Sequence, residues 1–219
     1  MPKPRRPYRL VAFVAVFIGV GCLGVAAVGL MGYFGATRTG DVMPDTTVIT
    51  SDAPQPDEIR PLAIQSSYTV PADQPRVVVI PRLDIESYVQ PVSVTSSGAM
   101  ATPTNIHYVG WYTDSVAPGE PGVSIVNGHY TGRYDKGVFW RLGELVKGDE
   151  IRLQMGDLSW RLFVVESNTM YDTAQASAAI FDNRPTITNE LHLITCGGRY
   201  DDVVQTYDKR VLVVAQLKT

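Results

Sequence analysis

Residues 191–201 read LHLITCGGRYD and carry a single cysteine, Cys196, directly after a short apolar run. A short run rich in Leu and Ile predicts a buried β-strand. The Gly197-Gly198 pair follows at once, so we expect the strand to end there and the thiol to face an open loop. A cysteine in such a position is either a small hydrophobic residue without chemistry or a working nucleophile.

Two other apolar segments also bring polar side chains to the ends of predicted strands. His129 closes the run that begins at Val123, and Arg210 directly precedes the run from Val211 to Leu217. A nearby imidazole or guanidinium favours the thiolate, and a fixed cation stabilises the oxyanion that forms when a thiolate attacks a peptide carbonyl. Arginine keeps its proton at ordinary pH, so its role would be to bind and orient. Cys196, His129 and Arg210 are therefore candidates for nucleophile, acid/base and cation.

Each of these residues also has a structural interpretation. A lone histidine after glycine is more often a polar turn residue, and an arginine at a strand start is usually a surface charge. A metal site is a further alternative, with ligands from His107, His129, His192 and Cys196. These residues lack the close-spaced pairs typical of zinc ligands, so we expect no metal and no cofactor.

The amino-terminal third of the chain has the composition of a membrane anchor followed by a stalk. Residues 1–9 are basic, and residues 10–34 contain no charge. A helix of that length is about 37 Å long and spans a hydrocarbon core of about 30 Å. Since basic residues stay inside, we expect a single-pass protein of the cell membrane with its amino terminus in the cytoplasm and the remainder outside. A cleaved signal peptide is the alternative, but its apolar region is normally shorter.

The remainder of the chain divides into a linker and one domain. Residues 35–75 are rich in Pro, Ser, Thr and Asp, which predicts a disordered stalk, and residues 76–219 form the predicted domain. Cys196 is the only cysteine beyond the predicted span, so the exported region has no second cysteine for an internal disulfide. The net charge of −3 and the lack of a Lys/Arg cluster in the domain argue against a nucleic-acid partner.

The domain reads as mostly β. Short β-branched runs recur from residue 77 onward, and 151–155 and 159–167 flank Gly156-Asp157 as the arms of a hairpin do. Helix is expected only over 138–145 and 174–181. About eight short strands with so little helix predict a closed β-barrel rather than a βαβ sheet.

Three segments of this domain resemble, in order and spacing, the signature segments of the sortases, which are membrane-anchored cysteine transpeptidases of Gram-positive bacteria with an eight-stranded barrel. They are Asn127–His129, Leu193–Cys196 and Lys209–Ala215. The resemblance covers about residues 76–218 and includes further matching segments: Ile80-Pro81, Leu83–Ile85, Trp111, Pro118–Gly122, Val138–Leu142 and Gly148-Asp149.

The resemblance implies a role for each candidate residue. Cys196 attacks the Thr–Gly bond of a C-terminal Leu-Pro-x-Thr-Gly-type sorting signal on a surface protein, and His129 protonates the departing amine. Arg210 holds the substrate backbone and the oxyanion, and Thr195 and Ile194 are expected to contact the substrate. An amine of a peptidoglycan precursor then resolves the thioester and leaves the surface protein attached to the cell wall.

The subclass and the final acceptor are less fully specified. Residues 196–201, Cys-Gly-Gly-Arg-Tyr-Asp, and Gly110-Trp111-Tyr112 resemble the class F sortases of actinobacteria, although many class F sequences carry another residue where this chain has Arg210. Two alternatives stay open at this point. Water could be the acceptor, which would make the protein a protease, or the barrel could serve as a binding module of the cell surface without catalysis.

Overall fold

The computed structural model describes residues 39–51, 55–182 and 188–218 of the chain. Two short strands, β1 (Thr39–Gly40) and β2 (Arg60–Pro61), pair with each other in parallel. The eight strands that follow in these ranges close into a barrel: β3 (Pro75–Ile80), β4 (Ile85–Val92), β5 (Val109–Tyr112), β6 (Val123–Gly128), β7 (Glu150–Met155), β8 (Trp160–Asp172), β9 (Glu190–Asp201) and β10 (Thr206–Leu217). Their order around the barrel is β3, β4, β5, β6, β9, β10, β8 and β7, so no barrel strand is left with an open edge.

Helical structure in the described residues is short. One α-helix, α1 (Thr173–Ile180), follows β8, and single 3-10 turns lie at Pro81–Leu83 and Leu142–Glu144. The predicted mostly-β fold with a closed eight-stranded barrel is confirmed. The helix predicted over 138–145 is reduced to the second 3-10 turn, because the amides of Val138 and Phe139 donate to carbonyls of other segments.

The two faces of the barrel strands carry different clusters. Residues that alternate into the barrel form the main core, where Val126, Leu193 and Val213 lie side by side on β6, β9 and β10 and are fully buried. The alternate residues of the same strands face outward and form a second apolar cluster with α1. Its buried members are Ile125, Ala176, Ile180, Ile194 and Leu212.

Strand β9 differs from the prediction at the residues that follow Cys196. The Gly197-Gly198 pair was expected to end the strand, and this expectation is wrong, since β9 continues to Asp201. The pairing with β10 absorbs the two glycines in an irregular register, in which Gly198 adopts a φ of +79° and the amide of Arg199 donates to Asp208 Oδ1. Cys196 therefore lies within a long β9–β10 hairpin rather than at a strand end.

The described part of the segment predicted as a stalk makes contacts with the barrel. Ile49 and Asp57 form β-bridges to Val92 and Asn105. Tyr68 is only 3% exposed, and its hydroxyl donates to the Val89 carbonyl at 2.6 Å. The structure thus differs from a disordered stalk over these residues and extends the folded region upstream of residue 76.

None of the helices in the described ranges is long and apolar enough to cross a membrane. The predicted span, residues 10–34, lies outside those ranges, as does the basic segment before it.

Candidate active site

Cys196 and Arg210 lie on two adjacent strands, and His129 directly follows a third strand. Strand β9 lies between β6 and β10, and Cys196 is paired directly with Arg210 on β10. On the other side, the parallel register with β6 matches Asn127 to Ile194. His129 follows β6, and the same register continued by two residues would match it to Cys196. We call His129, Cys196 and Arg210 the catalytic row, after the roles that the resemblance implies for them.

A hydrogen bond supports this continued register. The Thr195 hydroxyl donates to the Gly128 carbonyl at 2.8 Å, which joins the residue before the cysteine to the residue before the histidine. Thr195 is only 3% exposed, because its side chain alternates with that of Cys196 and turns toward the barrel interior. The contact ties β9 to β6 directly beneath the catalytic row.

The environment of Cys196 has two opposing effects on its thiol. Burial raises the pKa of Cys196 above its ordinary value, and the positive charge of Arg210 lowers it in part. The burial effect is the larger, so the resting thiol keeps its proton. Deprotonation therefore depends on a base or on charge supplied when substrate binds.

The imidazole of His129 is held by a backbone carbonyl. His129 Nε2 lies 2.8 Å from the Pro103 oxygen, and a carbonyl only accepts hydrogen bonds, so Nε2 carries a proton. The carbonyl of His129 itself accepts a hydrogen bond from the Phe139 amide at 3.0 Å. Gly137 is needed beside it, since a Cβ at that position would collide with the His129 carbonyl. Both the ring and the backbone of His129 thus have fixed partners.

The guanidinium of Arg210 is fixed by the first residues of β10, close to the turn of the β9–β10 hairpin. Its Nη1 donates to the carbonyls of Tyr207 and Lys209, each at 2.8 Å, and Nη2 donates to the Thr206 hydroxyl at 3.3 Å. Thr173, the first residue of α1, accepts a longer bond of 3.4 Å. Among the residues that the structure describes, no carboxylate forms an ion pair with Arg210, so its charge is not neutralised by a neighbouring acid.

The outer surface around the catalytic row is bounded by two elements. On one side, α1 packs against β8 and β10, and on the other, the connection between β4 and β5 contacts Asn127 and His129. This connection is held at Ala101, whose carbonyl accepts a hydrogen bond from Asn127 Nδ2 at 2.8 Å. Ile194 lies on the floor between the two elements, packed against α1 and 6% exposed.

The predicted site residues therefore divide into two groups. Cys196 is paired with Arg210, and His129 directly follows the strand on the other side of β9. Thr195 faces inward and bonds to Gly128, and Ile194 is buried in the outer apolar cluster. Sequence reasoning missed Pro103, because a backbone carbonyl that contacts a histidine has no side-chain signature.

The other two histidines lie apart from the catalytic row. His192 Nδ1 contacts the Ile180 carbonyl at 2.9 Å. His107 is buried, and its Nε2 lies 3.7 Å from Asp135 Oδ2. No group of three or more His, Cys, Asp or Glu side chains in the described ranges is arranged to hold a metal ion. A cavity of about 500 Å³ opens on another part of the surface, between residues 60–64 and the start of β4, and the row does not line it.

Comparison with known proteins agrees with this fold. The family model for the sortase domain matches residues 78–218. Sortase A from Listeria monocytogenes superposes with a TM-score of 0.50 at 20% identity, over 68% of this chain and 88% of that one. A sortase E mutant from Streptomyces avermitilis gives a TM-score of 0.50 at 21% identity, over 68% and 91% of the two chains. The pilus-related sortase C of Group B Streptococcus gives 0.50 at 16% identity, over 69% and 70%.

A search of curated proteins found no match. The structural matches are too distant in sequence to show more than the fold. The family model, in contrast, covers well over half of the 219 residues. The chain belongs to the sortase family.

Proposed function

We propose that this protein is a cysteine transpeptidase that cleaves a Leu-Pro-x-Thr-Gly-like sorting signal of a surface protein and transfers the acyl group to an amine of the cell wall. The observation that carries the proposal is the catalytic row, with a thiol and an unneutralised guanidinium paired on adjacent strands and an imidazole directly after the strand on the other side of β9. Membership of the sortase family supports it independently.

In the first half of the reaction, Cys196 Sγ attacks the carbonyl carbon of the Thr–Gly bond. The sulfur–carbon bond forms as the thiol proton passes to His129, and the carbonyl oxygen becomes an oxyanion. When the tetrahedral intermediate collapses, the carbon–nitrogen bond breaks and His129 returns the proton to the departing glycine amine. A thioester remains on Cys196.

Arg210 has the electrostatic role in this step. Arginine is the side chain suited to a fixed cation, and here two backbone carbonyls hold the guanidinium, so its remaining N–H groups can donate to the oxyanion. Its charge also opposes the burial that raises the pKa of Cys196. The same side chain therefore favours both the thiolate and the intermediate.

In the second half, an amine of a peptidoglycan precursor attacks the thioester carbonyl. His129 accepts a proton from the amine, the new amide forms, and the thiolate leaves and is protonated again. Thr195 and Ile194, which were expected to contact substrate, are assigned here to the support of the row and of its floor, because both are buried.

The finer assignments are part of the same proposal. Residues 196–201 and 110–112 support a class F sortase. Residues 10–34 are proposed to anchor the protein in the membrane as a single-pass helix, with residues 1–9 in the cytoplasm and the sortase domain outside. The residues between would then connect anchor and domain.

The test uses the full chain in detergent with a Leu-Pro-x-Thr-Gly peptide that carries a fluorophore and a quencher. It is incubated with and without a glycine-based or diaminopimelate amine. Cleavage with transfer to the amine, lost in Cys196→Ala, is the expected result. Cleavage that yields only the hydrolysed product would instead make the protein a protease, and absence of cleavage across a panel of sorting peptides would contradict enzymatic function.

A further inference from the structure

Residues 57–59, which we call the strap, lie against the barrel far upstream of the catalytic row in sequence. Asp57 forms a parallel β-bridge with Asn105, and its amide donates to the Thr104 carbonyl at 2.8 Å. The Ile106 amide donates back to the Asp57 carbonyl at 2.9 Å. These bonds attach the strap to the residues immediately after Pro103, whose carbonyl contacts the His129 ring.

The side chain of the central strap residue reaches a second segment. Glu58 Oε1 accepts the Arg133 amide at 2.6 Å, and Oε2 accepts the amides of Tyr134 and Asp135 at 3.0 and 3.1 Å. Three successive backbone amides thus converge on one carboxylate. Gly132 permits this approach, because a Cβ there would lie only 2.7 Å from Glu58 Oε1.

The loop that Glu58 holds begins directly after His129. A β-bridge between Thr131 and Lys136 closes it. Beyond the bridge, the chain returns to His129, where the Phe139 amide donates to the His129 carbonyl. Movement of this loop would therefore move the histidine backbone.

The strap consequently joins the two segments that fix His129. One segment supplies the carbonyl of Pro103 that holds the ring at 2.8 Å, and the other continues the histidine backbone. Gln90 adds to the first segment, since its Oε1 accepts the Thr104 amide at 2.9 Å. The strap contacts both segments at once, in addition to their direct bond from the Val138 amide to the Ile106 carbonyl.

We infer that Glu58 is a positioning residue, which holds His129 in the ring orientation and tautomer with the proton on Nε2. Its consequence for catalysis rests on the proposed function of His129 as acid and base. The geometric part does not, because the tautomer can be observed without substrate. Loss of the carboxylate frees three amides, loosens the loop and lets the ring leave the Pro103 carbonyl.

The experiment compares the full chain with Glu58→Gln and Glu58→Ala. Glu58→Gln keeps the shape and one acceptor oxygen, which guards against misfolding of the alanine variant. Asp157→Ala is the matched control, because Asp157 also accepts a backbone amide, that of Ser159 at 2.9 Å, in the turn between β7 and β8. That turn lies at the opposite end of β8 from Tyr171, the residue that pairs with Arg210.

The first readout is the 15N chemical shift of the ring nitrogens. The chain has three histidines, so labelling of histidine alone gives a spectrum that His129→Gln assigns. We expect the Nε2–H tautomer in the wild type and in Asp157→Ala, and a mixture of tautomers in Glu58→Ala. The second readout is turnover of the sorting peptide, for which we expect kcat to fall roughly tenfold with little change in KM. For Glu58→Gln we expect a tautomer population and a kcat between those of the wild type and Glu58→Ala.

The outcomes separate the inference from the proposed function. If wild-type protein cleaves no peptide but Glu58→Ala still changes the tautomer, the positioning role stands and the proposed function fails. If the ring shifts of Glu58→Ala match those of Asp157→Ala while both variants fold, Glu58 does not position His129. A rise in KM with unchanged kcat would also overturn the inference, because it would assign Glu58 to substrate binding.

Discussion

The inner and outer faces of β6, β9 and β10 are built from alternate residues of the same three strands, yet their side chains differ in chemical character. The inner face presents fully buried aliphatic side chains such as Leu193, packed against Val126 and Val213. Three residue pairs further along, the outer face presents a thiol and a guanidinium in register. The period of two along a strand therefore lets one set of residues specify the barrel while the other includes Cys196 and Arg210, to which we assign the chemistry.

The largest effect should come from the outer face. Arg210→Gln removes a fixed charge beside Cys196 without disturbing the inner core, so kcat/KM should fall about 10²- to 10³-fold, as for other oxyanion ligands. The free energy of unfolding should change by less than about 1 kcal/mol. Steady-state kinetics and urea unfolding measure the two. If an Arg210 variant unfolds readily but keeps its activity, the assignment of catalysis to the outer face and of stability to the inner face is wrong.

Leu193→Ala makes the complementary change on the inner face. Removal of a fully buried leucine should cost about 2 to 5 kcal/mol of unfolding free energy, because the close-packed barrel interior can only partly collapse into the cavity. The fraction that stays folded should react with sorting peptide at nearly the wild-type rate. Ile194→Val is the neighbouring control, since it trims one methyl from the outer cluster and should cost only about 1 kcal/mol.

The barrel could be predicted from sequence because its strands and turns have local patterns. Alternation and turn residues located the hairpin around Gly156-Asp157, whereas Cys196 and Arg210 were expected at strand ends and lie within β9 and β10. The bulge at Gly197-Gly198 could not be predicted, since two glycines break a strand locally unless a partner strand supplies the missing contacts. Here β10 does so through Asp208 and the Arg199 amide.

The contacts of the segment upstream of residue 76 could not be predicted, for a related reason. Its prolines and polar residues are typical of a linker, and nothing in that composition indicates that Tyr68 fills a site on the barrel or that Glu58 caps a distant loop. Such contacts depend on residues far away in sequence. The contact between the Pro103 carbonyl and the His129 ring could not be predicted either, because every residue type has a backbone carbonyl.

Thr195→Val tests the inner-face residue that directly precedes Cys196. The change keeps the shape of the last inward residue before Cys196 but leaves the Gly128 carbonyl without its donor, which should cost about 1 to 3 kcal/mol. Activity should fall less than in Arg210→Gln, since no group of the row is removed. Thermal unfolding and peptide cleavage distinguish this from a direct substrate contact, which would raise KM without loss of stability.

The smallest effect concerns the titration of Cys196. Because burial raises the pKa of its thiol, the fraction of thiolate should be low at neutral pH and should increase as pH rises. Alkylation of the folded protein by iodoacetamide should therefore be slower than that of the urea-unfolded chain at the same pH. Arg210→Gln removes the influence that lowers the pKa, so alkylation should slow further. Equal rates in folded and unfolded protein would contradict the burial of the thiol.

The most direct measurement is the intact mass of the full chain after brief mixing with a Leu-Pro-x-Thr-Gly peptide. A cysteine nucleophile on the outer face predicts a covalent adduct equal to the peptide fragment that ends at Thr, absent from Cys196→Ala and discharged by an added amine. Leu193→Ala should still form it in its folded fraction. Cleavage of the peptide by Cys196→Ala, or an adduct on another residue, would contradict the assignment of Cys196 as the nucleophile.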